Sequence, residues 1–155
     1  MKRFLIALLA IGLLVIAGTS MAAQQTSNIP VTANVQAACS VVTVTNVAFG
    51  IYDPTSAANN DAGQGNMSFS CTKGTAYKTY ITGTRSMAGG GDTLNFLLFT
   101  DSGRSTSFPS ASASGTPGTA ADSSAISIPV YGRIPGSQNV GVASYTATLV
   151  AVVEY

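Results

Sequence analysis

Residues 144–155 read Ser-Tyr-Thr-Ala-Thr-Leu-Val-Ala-Val-Val-Glu-Tyr. Successive side chains of an extended chain point to opposite faces. Tyr145, Ala147, Leu149, Ala151, Val153 and Tyr155 therefore share one face, while Thr146, Thr148 and Glu154 lie on the other. This spacing predicts a long strand over residues 143–155 with its apolar face turned to a core. The sequence ends inside that strand, which sets the expectation of a sheet edge with no following strand to cover it.

Upstream, the same period of two recurs, and Gly, Pro, Asn, Asp and Ser interrupt it every eight to fifteen residues or so, the mark of an all-β sandwich or barrel. Strands are predicted over residues 39–49, 67–71, 77–82, 94–100 and 125–133. Loops are predicted over 52–65, over the glycine-rich 87–92, and over the Ser/Ala/Gly/Thr-rich 102–124, which has room for a short edge strand near Phe108. That last loop reads as a solvated surface, with contact to a receptor or host surface as the other reading. About six main strands follow Cys39, where an immunoglobulin-like sandwich has about seven. The expected fold is thus an incomplete immunoglobulin-like sandwich lacking its last strand.

Before Cys39 lies a spare strand. Ile29, Val31, Ala33 and Val35 alternate with Pro30, Thr32, Asn34 and Gln36. Pro30 has no amide hydrogen, which confines such a segment to an edge or a terminus. Only Ala37 and Ala38 separate it from Cys39, too short a connection to turn it back into a groove of its own domain. Insertion into a neighbouring copy avoids that difficulty and gives a head-to-tail contact that repeats into an open filament. The other reading is an ordinary first strand of a complete sandwich.

The first residues read as a secretory leader: Lys2 and Arg3, then an apolar run from Phe4 to Ala17, then Ser20-Met21-Ala22 as a cleavage site. The expected organisation is residues 1–22 as signal peptide, cleaved after 22 or 23, residues 23–37 as donor-strand extension, and residues 38–155 as the folded domain. The run is shorter than the roughly 20 residues that span a bilayer. The formal net charge of +1 becomes −1 once Lys2 and Arg3 leave, and charged residues make up only 8% of the chain. That excludes the clustered basic face that nucleic acid or anionic lipid requires. So sparse a charge does little to oppose self-association. Cys39 and Cys71 are the only cysteines. In an exported chain they point to one intrachain disulfide, with free thiols or an intermolecular bridge as alternatives.

Residues for chemistry are few. There is no histidine, the commonest general base and metal ligand. The carboxylates are Asp53, Asp61, Asp92, Asp101, Asp122 and Glu154, mostly at turn positions where Asp bonds its own backbone. Asn59-Asn60-Asp61-Ala62-Gly63 lacks the alternating oxygens and closing Glu of a calcium loop. Gly63-Gln64-Gly65 lacks the Lys and helix of a phosphate loop. Asn66-Met67-Ser68 matches a glycosylation sequon only incidentally. No catalytic residue, metal site or cofactor is expected, and no small-molecule substrate.

An ordered set of segments then stands out: Cys39-Ser40-Val41, Val47-Ala48-Phe49-Gly50-Ile51-Tyr52-Asp53-Pro54, Met67-Ser68-Phe69-Ser70-Cys71, Leu94-Asn95-Phe96-Leu97-Leu98-Phe99-Thr100-Asp101, Val130-Tyr131-Gly132-Arg133-Ile134-Pro135, and the aromatic C-terminus. With this set the chain resembles the spore coat protein U domain family, which includes major pilins of archaic, Csu-type chaperone–usher pili. The resemblance implies a fimbrial subunit, exported through the periplasm to an extracellular pilus that supports adhesion and biofilm formation. It implies a periplasmic chaperone that lends a strand temporarily and holds the carboxylate of Tyr155, and an outer-membrane usher where the next subunit's Ile29–Val35 segment replaces that strand beside Leu149, Ala151 and Val153. Ala147 departs from the family, which often has Asp there. The alternatives are a monomeric secreted immunoglobulin-like binding module, an adhesive tip, or a spore or cell coat protein; an enzyme is the reading with least support.

Overall fold

A computed structural model describes residues 22–155. The predicted leader falls almost wholly outside the described residues. The chain divides into two units, Met1–Ala33 and Asn34–Tyr155. In the first, residues 22–33 contain no strand, helix or turn. The strand predicted through Ile29, Val31, Ala33 and Val35 is therefore not formed, since alternation supplies an apolar face but a strand also needs backbone partners.

The second unit is built from nine strands: β1 (Cys39–Ala48), β2 (Gln64–Cys71), β3 (Ala76–Thr82), β4 (Ser86–Gly89), β5 (Asp92–Asn95), β6 (Leu97–Phe99), β7 (Thr116–Thr119), β8 (Ile126–Arg133) and β9 (Val150–Glu154). They form sheets of order β1-β2-β8-β6 and β7-β3-β9, plus the β4-β5 hairpin. Every pairing is antiparallel. The described residues hold no α-helix and one short 3₁₀ turn, Ser112–Ser114. The architecture is an immunoglobulin-like β-sandwich.

Alternation decides what is buried. In β2, Met67, Phe69 and Cys71 are buried and the residues between them are not. These pack with Leu98 and Val130 of the same sheet and with Ile81 of the other, so one core joins both sheets. Pro129 sits in β8 beyond the point where β6 stops pairing at Phe99↔Tyr131, so its missing amide hydrogen costs nothing on that side. Cys39 and Cys71 are directly opposed on β1 and β2 and joined by a disulfide.

Four expectations need correction. The 87–92 stretch is a hairpin and not a loop, with Gly90 and Gly91 at φ of 60° and 90° supplying the turn; two adjacent positive φ values are what a tight type I′ turn demands. The single strand over 94–100 breaks at Phe96, where the chain leaves the β4-β5 hairpin and joins β8. The edge strand near Phe108 is only an isolated bridge, Phe99↔Ser107, and the strand in that loop is β7. The final strand is shorter than 143–155: only β9 has a ladder, and Thr146 makes a lone bridge to Ala88.

Candidate functional site

β1 ends one sheet and β9 ends the other, so among the described residues each has one edge without a strand partner. Between them runs a groove of about 420 Å³. One wall is residues 44–49, the other includes Tyr145, Leu149 and Ala151, and the floor is Met67, Ile81, Met87, Phe96, Leu98 and Val130. Past Phe49 it continues into a cleft of about 590 Å³ lined by residues 47–52 on one side and 140–145 on the other, over Leu94 and Ile134. Both spaces share Val47, Ala48, Phe49, Met87 and Tyr145. As residue numbers rise along the β1 wall they fall along the opposite wall, so the walls run antiparallel.

Local chemistry fixes those walls. The Phe49 ring fills the space that a side chain at Gly63 or Gly132 would need; a Cβ on Gly132 would stand 2.5 Å from the ring. The Tyr52 hydroxyl donates to the Pro135 carbonyl at 2.9 Å and accepts from the Gln138 amide at 3.0 Å. The Gln138 side chain in turn brackets Asn95, donating to its carbonyl and accepting from its amide, each at 2.8 Å. The Asn60 side chain donates to the carbonyls of Phe49 and Ile51. Opposite, Asp92 accepts from the Gly141 amide at 2.7 Å, and the Tyr145 hydroxyl donates to the Gly141 carbonyl at 2.8 Å. Burial pushes the Tyr145 phenol up, with the Asp92 charge adding to it. β9 is tied to β3 by the Tyr80 hydroxyl, which donates to Glu154 at 3.1 Å.

Among the described residues the groove is lined by Val, Thr, Asn, Met, Ile, Phe, Leu, Ala and Tyr, with no Asp, Glu, Lys or Arg. Two free strand edges over an apolar floor can pair with one further extended segment, which receives backbone hydrogen bonds on both sides and places alternate side chains on the floor.

The predicted residues divide. Leu149 and Ala151 line the groove. Val153 packs against the core but away from it. Tyr155 is exposed beside a shallow depression formed with Tyr77, Lys78 and residues 117–119. Ile29, Val31 and Val35 are 84%, 90% and 78% exposed, and Ala33 is exposed as well. The β1 wall and the floor were not singled out from sequence; their signal was the apolar alternation of residues read simply as core.

Three of the carboxylates serve local structure. Asp53 accepts from Thr55, Asp101 from Ser105 and Thr106, and Asp122 from Ser124. These hydrogen bonds hold all three below the usual carboxylate range. Asn60 accepts from the Ala62 amide, as turn chemistry predicts, whereas the Asp61 carboxylate is taken up by the distant Arg133.

Residues 25–152 match the family model of the Spore Coat Protein U domain. No curated protein matches the chain.

Proposed function

The chain belongs to the Spore Coat Protein U domain family, and from that premise we propose that it is the structural subunit of a surface pilus, exported by a chaperone and an usher and polymerised by strand donation. The observation that carries this reading is the apolar groove between the two unpartnered edges of β1 and β9. The segment from Ile29 to Val35 is suited to fill it. Its apolar side chains recur at the spacing of a strand face, and they stand exposed. Burial of Ile29, Val31 and Val35 at about 1.5–3 kcal/mol each would yield roughly 5–9 kcal/mol gross, with backbone pairing adding direction. A periplasmic chaperone would occupy the groove until the next subunit replaces it at the outer-membrane usher, and Leu149 and Ala151 would contact either occupant. Residues 1–22 would be removed on export.

The test is size under mild denaturation. Protein taken from the cell surface is run unheated and boiled on a denaturing gel, beside a truncation lacking residues 24–37. Regular multimers that collapse on boiling and vanish with the truncation establish strand-exchanged polymers. A monomer band in every lane means that the domain completes its own fold, and the chain is then a monomeric binding module.

A further inference from the structure

The groove has two ends, and they differ. The chain enters the domain at Cys39 and leaves β1 at Ala48, about 30 Å further on at ~3.3 Å per residue. Just past that far end, Ile51 is 95% exposed and Val142 fully exposed, and both line the cleft that prolongs the groove. Single apolar side chains on a surface are ordinary. Two of them at the mouth of an apolar groove are a patch with a direction.

The tether determines what can cover it. The Gln36 carbonyl accepts from the Thr72 hydroxyl at 3.2 Å and the Ala38 carbonyl from the Thr72 amide at 2.8 Å. The chain is thus tied to its own domain one residue after Val35. A head-to-tail filament requires each subunit to send its segment from one end and receive at the other. Segments leave at the Cys39 end, so they must arrive at the Ile51 end; arrival at the Cys39 end would set two subunits back to back. With Val35 at the mouth and Gln36 fastened to the incoming domain, one or two residues separate the two bodies, about 7 Å at full extension. That distance leaves no room for a solvated linker.

We propose that Ile51 and Val142 form an end-to-end contact with a second copy of this chain, against the end of that copy that carries Cys39, Thr72 and Lys73. The contact rests on the strand-donation reading and adds to it. Strand insertion holds subunits together, and this contact sets the angle between them.

The test is thiol labelling of assembled filaments of the full chain with a maleimide. Ile51→Cys is compared with Ser102→Cys, an exposed position in the loop after β6, on the sheet edge opposite β1. Val142→Cys serves as an independent second position. Labelling at 51 and at 142 is expected to be at least about tenfold slower than at 102, because thiol reactivity follows access. Regular multimers whose residues 51 and 142 label as fast as residue 102 overturn the contact and leave strand donation standing. Absence of multimers from the unsubstituted chain removes strand donation, and the contact with it.

Discussion

Asp61 gathers three distant pieces of chain. Arg133 grips its carboxylate with two hydrogen bonds, at 2.6 and 2.8 Å. Arg104 lies 3.4 Å from the same carboxylate, donates to the Asp61 and Gly132 carbonyls, and approaches the Tyr131 ring. Residue 104 adopts a φ of 55°, a backbone state that few side chains other than glycine take up, and the network offsets that strain. The Arg133 hydrogen bond, helped by the Arg104 charge, holds the Asp61 carboxyl below the usual carboxylate range. A depressed folded-state pKa stabilises the fold above the unfolded value, near 3.9, and the effect is lost as pH falls through the folded value. Asp61→Asn should therefore melt below the unsubstituted protein at neutral pH, and the two curves should converge as pH falls through the lowered value of the folded carboxyl. The gap is held to about 1 kcal/mol or less, because the Asp61 side chain is 41% exposed and salt-screened. A gap in melting temperature that stays constant with pH would show that the carboxylate charge is not what Arg133 holds. Asp61 was legible in the sequence as a turn residue and no more. Its partner stands 72 positions away, and no local pattern encodes that pairing.

The edge strand β1 is held on one side only, and the disulfide acts there. Cys39 opens β1 and Cys71 closes β2, so the bond fastens the outermost strand at the end where the chain enters. Closing 32 positions removes unfolded-state freedom worth about 3–4 kcal/mol in a chain-entropy model. A Cys39→Ser, Cys71→Ser double variant should lose stability on that scale, read as a lower urea midpoint. An unchanged midpoint would mean that the sheet alone fixes β1. The elements legible in the sequence are those whose alternation one core decides: β1, β2, β3 and β8 lie within a few residues of their predicted bounds. The illegible ones turn on partners. The three glycines of 89–91 read as a breaker because their turn conformation makes sense only once β4 faces β5. Phe96 reads as the middle of a strand because its side chain is apolar, yet there the chain passes from one sheet to another. The groove is half legible: its β9 wall reads as an open edge, whereas its floor is drawn from five other strands, β2, β3, β4, β6 and β8, and from Phe96 between β5 and β6.

At the scale of the whole molecule, the donor assignment stands or falls on the exposed row. Val31 and Val35 lie outside every strand and are exposed, so a change at either should leave the domain's own stability untouched. In a filament the same side chain would sit on the groove floor, where Met67, Ile81, Phe96 and Leu98 offer a carboxylate no partner. Val31→Asp loses about 1.5–3 kcal/mol of apolar burial. It adds the cost of desolvating a charge, or of protonating it, which is several kcal/mol more. Together these exceed half of the roughly 5–9 kcal/mol that the three large anchors supply. If the chain is the pilus subunit proposed above, the variant should therefore reach the periplasm, form its disulfide and copurify with a chaperone, because its groove is unaltered. On an unheated gel it should give a monomer in place of the ladder, and Val35→Asp should do the same. Normal pili from either variant would place the donor segment elsewhere in the chain. Failure of chaperone binding would show instead that these residues serve the subunit's own fold.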